Sequence, residues 1–477
     1  MKNNNDTYLY EKLANDIASA IQQGLFSVNE RLPSLRLVSK QYAVSMATTI
    51  QAYQKLELEG LIESRPKSGY YVSQWITAQP DEPVISQPKT SPTDVNVGHI
   101  AMSLVNETRQ SNLVKLGAAV PEENLLPLAS LSRTFAGVAR RKNRAPATYD
   151  DAQGSIELRK QIVHLMRESG VRCSPNDIII TNGCLEALGL ALRAVAKNND
   201  TIAIESPTYF GVLQVIESLG MKALEIATHP GEGIDIDALK KAIKNRKISA
   251  CMLMPTFNNP LGSVMPEENK HKVTTLLNKN KIPIIEDDVY GALSFEPRRP
   301  KALKSYDDSG NILYCSSFSK TVSPGLRIGW IIAGKHQDKV KYQKFLDNIC
   351  TSIHPQLTLA EFLAKGGYRR CTRHASRIYR QRMDQLRRLV SDYFPEGTRI
   401  TNPKGGFLLW VELPETYSCL ELYRKAMSKK IAITPGILFS AQGQYKNHIR
   451  LSCGAVDGSL AKKSIKTLAN LLNEKKP

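Results

Sequence analysis

The chain has 477 residues, of which 42% are hydrophobic and 23% charged, and this is typical of a globular protein with two to four domains. It contains no run of about 18 uncharged apolar residues and no secretory leader pattern, so we expect a cytoplasmic protein with no membrane partner. Lys and Arg number 64 against 45 Asp and Glu, and the net charge of +19 favours a polyanionic partner.

The positions of the charged residues and cysteines indicate where a polyanion could bind and which kinds of site to expect. Residues 1–75 hold eight Lys and Arg against seven Asp and Glu, so most of the positive excess lies later in the chain. The eight cysteines are dispersed without a C-x-x-C pair. The sequence therefore indicates neither a metal site nor a redox motif.

Hydrophobic spacing predicts three helices and a hairpin in residues 1–75. Apolar residues three and four apart predict an amphipathic helix over 7–23. Ser34 is suited to cap a short second helix, and Ser45 a third that ends at Gly60. Two strand-like pieces within 61–72 complete a winged helix-turn-helix.

The composition changes after residue 75. Residues 76–112 are rich in Pro, Gln, Ser and Thr and lack periodicity, which predicts a flexible linker. Beyond it, short apolar runs such as Ile178-Ile179-Ile180 alternate with helical patterns. This alternation predicts an α/β domain over 113–477, with a mostly parallel sheet covered by helices.

A lysine directly after a predicted strand carries the clearest chemical signal. In Ser316-Ser317-Phe318-Ser319-Lys320, the amine of Lys320 can form an imine with an aldehyde cofactor. The hydroxyls of Ser317 and Ser319 and the guanidinium of Arg327 are suited to bind a phosphate. Taken alone, the segment fits a surface lysine in a polar loop equally well.

Three more segments follow one another along the chain and offer groups that could bind the phosphate, the hydroxyl and the nitrogen of a phosphorylated pyridine. Gly183 and Cys184 end a strand and begin a helix, where free backbone amides favour a phosphate. Asn259 offers an amide to a ring hydroxyl, and Asp287, at the end of an apolar strand, offers a carboxylate to a protonated ring nitrogen. The alternatives are an ordinary strand-to-helix turn, a common reverse turn and a solvated acidic loop.

In this order the motifs resemble those of the fold-type-I aminotransferases, which bind pyridoxal 5′-phosphate (PLP), and the resemblance runs from about Lys115 to the C-terminus. It implies a large domain over about 135–345 and a small domain built from the C-terminal part plus the start. It also implies Lys320, Asp287 and Tyr290 as catalytic residues, with Lys320 bound covalently to the cofactor. The cofactor-binding residues would be Lys320, Asp287, Asn259, Tyr290, Tyr209, Gly183, Cys184, Ser317, Ser319 and Arg327.

Two further residues follow from the same resemblance. Arg450, in Ile449-Arg450-Leu451-Ser452, matches the arginine that grips the substrate α-carboxylate, a planar group suited to a bidentate guanidinium. A surface arginine is the alternative. Tyr149 matches the tyrosine that reaches the phosphate of the neighbouring subunit, and this implies a homodimer.

The N-terminal stretch resembles the GntR-type winged helix-turn-helix, notably in Arg31-Leu32-Pro33-Ser34-Leu35-Arg36. The combination of these two parts in one chain resembles the MocR subfamily of GntR-type regulators. They imply double-stranded operator DNA as a partner, with the helix from Ser45 in the major groove. Met46 departs from the arginine that these regulators often carry, so operator preference does not transfer from relatives. The candidate DNA-binding residues are Arg36, Ser45, Thr48, Arg65 and Lys67.

A second basic feature lies in the predicted α/β domain. Residues 365–388 hold nine Lys and Arg and one acidic residue. Arg370, Arg373, Arg377 and Arg380 recur at intervals of three and four, on one helical face. This is either a solvated helix face or a surface for the backbone of DNA bent around the dimer.

The leading hypothesis is a PLP-dependent DNA-binding transcription regulator that responds to an amino acid, an amine or PLP through its aminotransferase-like domain. The alternative is a working aminotransferase with an autoregulatory DNA-binding head, because Lys320, Asp287, Tyr290 and Arg450 are all present. A third hypothesis, in which the large domain only dimerises, predicts protein without a bound chromophore.

Overall fold

The structure is a computed structural model, and it describes residues 9–58, 60–65, 68–73, 80–98, 102 and 112–474. The chain divides into two compact units, one of Met1–Pro80 with Arg387–Asp392 and the other of Asp81–Leu386 with Tyr393–Pro477. We call residues up to 80 the head and residues from 81 onward the body. Among the described helices, none combines the length and the apolar character that crossing a lipid bilayer requires.

The head consists of three helices and an antiparallel hairpin, as predicted. These elements are α1 (Leu9–Gln22), α2 (Leu35–Gln41), α3 (Met46–Leu58), β1 (Ile62–Arg65) and β2 (Gly69–Val72). Side chains cap two of the helices: Ser34 Oγ accepts from Leu37 N at 3.3 Å, and Ser45 Oγ accepts from Thr48 N at 3.1 Å. The predicted winged helix-turn-helix is confirmed.

Residues 81–98, which we call the strap, correct the predicted linker. The short strand β3 (Thr93–Asp94) pairs with the central sheet of the body, and Gly98 N donates to Glu217 Oε2 at 2.9 Å. A segment rich in Pro and Ser that bonds at isolated points has no periodicity by which a sequence could reveal it. The flexible linker predicted over 76–112 is therefore wrong for the strap.

The centre of the body is a mixed sheet. Its further strands are β4 (Ile178–Thr181), β5 (Thr201–Ser206), β6 (Lys222–His229), β7 (Gly233–Ile234), β8 (Ala250–Leu253), β9 (Ile284–Asp287), β10 (Ile312–Ser317) and β11 (Gly329–Ile332). In the described residues the order is β3-β6-β5-β8-β9-β10-β11-β4, with β7 paired to β6. The run from β6 to β10 is parallel, whereas β11 is antiparallel to both of its neighbours. The predicted α/β class is confirmed.

Helices cover both faces of this sheet. Ile179 of β4 packs in the same cluster as the helix after that strand, whereas Ile178 and Ile180 pack in another, as alternation along a strand requires. The covering helices are α4 (Leu128–Arg141), α5 (Ile156–Glu168), α6 (Cys184–Val195), α7 (Phe210–Ser218), α8 (Ile236–Asn245), α9 (Glu267–Lys279), α10 (Gln337–Asn348), α11 (Ile353–Ala364) and α12 (Gly367–Tyr393).

A second, smaller sheet follows near the C-terminus. It consists of β12 (Arg399–Ile400), β13 (Leu408–Glu412), β14 (Thr434–Pro435) and β15 (His448–Ser452), accompanied by α13 (Cys419–Ser428) and α14 (Gly458–Asn473). Its order is β12-β13-β15-β14. The chain before α4 joins this small sheet, because Gly117 N donates to Ala432 O at 2.7 Å.

Candidate functional site

The carboxyl ends of the parallel strands bring the predicted site residues to one edge of the central sheet. β9 ends at Asp287 and its parallel neighbour β10 at Ser317. Asn259 follows β8, and Tyr209 follows β5. Because neighbouring parallel strands all end at the same edge, the residues that follow them lie around a common crevice.

Asp287 is a buried carboxyl group without an ion pair. The residue is 3% exposed, and Cys184 Sγ donates to its Oδ1 at 3.5 Å. The next residue, Asp288, pairs with Arg299 at 2.5 Å, whereas no such pair involves Asp287 among the described residues. Burial raises the pKa of Asp287 to about 7. A carboxyl group in this position is suited to receive a cation.

Lys320 lies beside the same crevice. Its Nζ donates to Ala119 O at 2.6 Å and lies 5.8 Å from the centroid of the Tyr290 ring. Burial and the nearby guanidinium of Arg450 lower the pKa of Lys320 to about 8, although the Asp287 carboxylate acts in the opposite sense. About a tenth of the amine is therefore neutral and nucleophilic at pH 7, far more than for an ordinary lysine.

An anion-binding cup forms where β4 leads into α6. Gly183 has a φ of +90°, and a Cβ there would lie 2.3 Å from Arg327 Nη2. Arg327 Nη2 donates to Asn182 O at 3.0 Å, and Nη1 donates to Ser319 Oγ at 3.5 Å. Ser317 Oγ accepts from Ser319 N at 3.4 Å. A helix start, a guanidinium and two hydroxyls thus converge in a combination suited to a phosphate.

Arg450, on β15, reaches the site from the small sheet. It is 2% exposed; its Nη1 donates to Asn259 Oδ1 at 2.9 Å and its Nη2 to Gly117 O at 2.8 Å. Its Cζ lies 5.1 Å from the centroid of the Phe439 ring, within cation–π range. The buried Nε has no hydrogen-bond partner among the described residues. The guanidinium is held in one orientation and keeps a free donor, which suits a carboxylate.

Tyr290 presents a buried hydroxyl to the same region. The residue is 2% exposed, and its ring packs edge-on against Phe407 with centroids 5.4 Å apart. Within the described part of the chain its hydroxyl has no hydrogen-bond partner. Burial raises the pKa of Tyr290 far above its usual range, so the hydroxyl stays protonated and is a donor for a ligand oxygen.

The two other predicted tyrosines differ in exposure. Tyr209 precedes α7, is partly buried, and packs on Phe210 with ring centroids 4.9 Å apart. Tyr149 is 80% exposed. Among the residues that the structure describes, Tyr149 forms no hydrogen bond or ring contact with the other predicted site residues. The structure therefore brings Tyr209 to the site and leaves Tyr149 on the surface of the subunit.

Sequence reasoning missed the residues that hold Lys320 and Arg450. Gly117 O accepts from Arg450 and Ala119 O from Lys320. Thr434 Oγ1 also accepts from Arg450 Nη2, at 3.3 Å. Backbone carbonyls carry no residue-type signal. The only residue-type signal was the glycine at 117, which a close backbone approach requires. A Cβ at Gly117 would lie 2.4 Å from Thr434 N.

In the head, the predicted DNA-binding residues differ in how free they are. Arg36 on α2 is exposed and Thr48 on α3 is half-buried. The hydroxyl of Ser45 lies 2.8 Å from that of Thr48 at the start of α3. Lys67 lies outside the described residues.

Arg65, on the wing, is held by its neighbours. Its Nε donates to Glu63 Oε1 and its Nη2 to Asn29 Oδ1, both at 2.8 Å. Its guanidinium carbon lies 4.2 Å from the centroid of the Tyr71 ring. A phosphate contact by Arg65 would compete with these interactions.

Comparison with known families agrees with this division of the chain. Residues 9–72 match the family described as bacterial regulatory proteins, gntR family, and residues 112–468 match aminotransferase class I and II. The chain is therefore a GntR-type DNA-binding domain fused to a class I and II aminotransferase domain. It belongs to the MocR type of GntR-family transcription regulators.

Two curated relatives match nearly the whole chain, and one solved structure matches about three quarters of it. The uncharacterized HTH-type transcriptional regulator YjiR of Escherichia coli K12 is 38% identical over 444 residues, covering 93% of this chain and 94% of its own. The uncharacterized regulator YdcR of the same organism is 35% identical, covering 98% and 99%. LysN, the α-aminoadipate aminotransferase of Thermus thermophilus, solved with N-(5′-phosphopyridoxyl)-L-leucine, has a TM-score of 0.73 and 27% identity. It covers 78% of this chain and 94% of that one.

Proposed function

We propose that this transcription regulator holds PLP in its body on Lys320, and that an amino acid, an amine or PLP itself controls DNA binding by its head. The observation that carries the proposal is the convergence on one crevice of a low-pKa lysine, an unpaired carboxyl group and a buried arginine. Lys320, Asp287 and Arg450 supply these three groups.

The unsatisfied groups of the site fit PLP. The carboxyl group of Asp287 would pair with the protonated ring nitrogen, and the hydroxyl of Tyr290 would donate to the ring oxygen, joined there by Asn259. The cup at Gly183 would receive the phosphate. Because Gly183 has no Cβ, the guanidinium of Arg327 can lie close to the backbone amides at the start of α6. Cys184, Ser317, Ser319 and Tyr209 complete the set that surrounds the cofactor in this proposal.

The protein groups perform four tasks at this site. PLP, when bound, supplies an aldehyde that reacts with primary amines and a ring that withdraws electrons. Lys320 would hold the cofactor through its amine, about half of which is neutral at pH 8 before the cofactor binds. Asp287 keeps a proton on the ring nitrogen, and Arg450 binds the carboxylate of an amino acid and so orients its amine toward Lys320.

We infer that the strap transmits the signal. Val84 N, in the strap, donates to Glu412 Oε2 of the small sheet at 2.9 Å, and Asp81 O accepts from β12 at 3.0 Å. β3 of the same strap pairs with the central sheet. A carboxylate bound by Arg450 would shift the small sheet against the central sheet and so displace residue 81, where the head joins.

We also propose a homodimer. On α10, Tyr342, Phe345 and Leu346 are 64%, 51% and 63% exposed, at spacings that place them on one helical face. An apolar stripe of this kind is typical of a surface covered by a partner. A second copy of the chain would cover it, and the exposed Tyr149 would then reach the phosphate of the other subunit.

In the head, we propose that α3 enters the major groove with Ser45 and Thr48 near base edges, while Arg36 and the wing residues Arg65 and Lys67 contact phosphates. The exposure of Arg36 supports this assignment most directly.

One experiment tests the regulator against an enzyme. PLP-loaded protein is mixed with a panel of amino acids and amines plus a 2-oxo acid, and cofactor absorbance, product and affinity for DNA fragments from its own promoter region are followed. For a sensor we expect a spectral change that stops within one equivalent and alters DNA affinity. Sustained turnover without a change in DNA affinity would replace the proposal with the aminotransferase alternative.

The matched variants are Lys320→Ala and, as a control, the exposed Lys335→Ala. Lys320→Ala should abolish both the spectral change and the ligand-dependent change in DNA binding, and Lys335→Ala should preserve both. If Lys320→Ala responds like the natural protein, the covalent role of Lys320 is wrong.

A further inference from the structure

Three arginines of α12 form an exposed stripe that the site does not use. Arg370, Arg373 and Arg377 are three and four residues apart, so they project from one face of the helix, and all three are exposed. At a rise of 1.5 Å per residue they span about 10 Å along the helix axis. We call them the arginine stripe.

The stripe is unneutralised, in contrast to other arginines of α12. Arg369 pairs with Glu168 at 2.5 Å, and Arg382 pairs with Glu122 at 2.5 Å. Within the described residues, no hydrogen bond or ion pair is formed by the three stripe arginines. Acidic side chains therefore neutralise arginines beside the stripe, whereas the arginines of the stripe itself face solvent.

The stripe stands on a rigid support. On the buried side of α12, the ring of Tyr368 packs edge-on against Phe318 with centroids 5.9 Å apart, and Tyr379 packs on Phe407 at 5.1 Å. Thr372, between them, is also buried. This part of the helix is anchored in the core of the body. Binding a ligand at the stripe therefore costs conformational entropy of the arginine side chains but not of the backbone.

The basic surface continues beyond the helix. Arg380 Nη1 donates to Phe295 O at 3.3 Å, and Phe295 N donates to Lys404 O at 3.0 Å. This loop carries Arg298, which is exposed, as is Lys404. Two further cations therefore border the C-terminal end of the stripe, and the whole is suited to an extended polyanion rather than to one small anion.

We propose that the arginine stripe binds the phosphate backbone of the duplex DNA that the head also binds. Residues 1–75 carry a net charge of +1, and the remaining +18 lies in residues 76–477. Affinity for DNA depends on the number of phosphates neutralised, so a nearly neutral head gains most from contacts made elsewhere in the chain. DNA held by the head is at high effective concentration for the body of the same chain. This inference does not depend on PLP.

The test compares charge removal at the stripe with the same charge removal elsewhere. Arg370, Arg373 and Arg377 are changed together to Gln in the full chain, and separately together to Lys. The matched control changes the exposed Lys244, Arg246 and Lys247 to Gln. Binding to a mixed-sequence duplex of about 60 base pairs is followed by fluorescence anisotropy over about 50–300 mM KCl.

The Gln variant of the stripe should bind about 10–100-fold more weakly at the lowest salt, and its log–log salt slope should fall by about 2–3, close to 0.9 for each phosphate that is no longer neutralised. The Lys variant should keep most of the affinity, since lysine also neutralises a phosphate. The control should match the natural protein. An unchanged salt slope in the Gln variant, or an equal weakening in the control, would overturn the proposal. The first of these outcomes would leave an acidic protein as the partner to seek.

Discussion

The two arginines of the site are built in opposite ways. Arg450 is 2% exposed and donates to Asn259 and Gly117, whereas Arg327 is exposed and donates to Asn182 O. A buried guanidinium is part of the core, so its removal affects stability together with binding. An exposed one can be replaced by water. Arg450 should therefore serve both the fold and the ligand, whereas Arg327 should serve the ligand alone.

The largest effect is expected from Arg450→Gln. The change removes the bidentate partner of a carboxylate, and affinity of PLP-loaded protein for an amino-acid effector should fall about 100–1000-fold. It also leaves Asn259 Oδ1 and Gly117 O without their donor, which should lower the free energy of unfolding by about 1–3 kcal/mol. Spectroscopic titration and denaturant unfolding measure the two effects.

The amine that lacks the carboxylate is the internal control for Arg450→Gln, and its affinity should change less than about threefold. Arg399→Gln, a partly exposed change in the same small sheet, should alter neither ligand. An equal weakening for amino acid and amine would contradict the carboxylate role.

Arg327→Gln should weaken PLP binding about 10–100-fold by removing charge-assisted hydrogen bonds to the phosphate. The unfolding free energy of the cofactor-free protein should change by less than about 0.5 kcal/mol, since the side chain is exposed. Equilibrium dialysis with PLP and with pyridoxal, which lacks the phosphate, distinguishes loss of a phosphate contact from a general loss of cofactor binding. If pyridoxal binding falls as much as PLP binding, Arg327 does not act on the phosphate.

The rate of PLP uptake by cofactor-free protein should rise about tenfold between pH 7 and pH 9, with its midpoint near 8. The pKa of Lys320 is lowered from 10.5 to about 8, so the neutral amine becomes dominant as the pH rises through 8. Stopped-flow absorbance at a series of pH values measures the rate. Lys320→Ala, in which PLP can bind only without a covalent bond, should show no step at this pH.

An effect of opposite sign is expected from Asp287→Asn, because the cofactor-free protein should become more stable above pH 7, by up to about 4 kcal/mol. Because the pKa of Asp287 is raised from 3.8 to about 7, the natural protein loses stability as the pH rises from about 4 through 7, and the amide escapes that decrease. Thermal unfolding across this range measures it. Asp288→Asn, which breaks the pair with Arg299, should destabilise the protein, and the same sign for both variants would contradict the unpaired state of Asp287.

The success of prediction differed between the head and the strap. In the head, caps such as Ser34 and Ser45 and helical periodicity act within a few residues, so local sequence carries the structure. In the strap, β3 is two residues long and bonds to β6, more than a hundred residues away. A linker was predicted there because such pairing leaves no local pattern.

By itself the sequence indicated the two-part organisation, several strands of the central sheet, and Lys320, Asp287 and Arg450 as candidate site residues, because periodicity and chemically specific side chains are local properties. The tertiary structure alone decided that Gly117 and Ala119 hold two of these cations, that Asp287 lacks an ion pair while Asp288 has one, and which arginine is buried. Those features depend on contacts between distant segments and on desolvation, which arise only when the chain is packed.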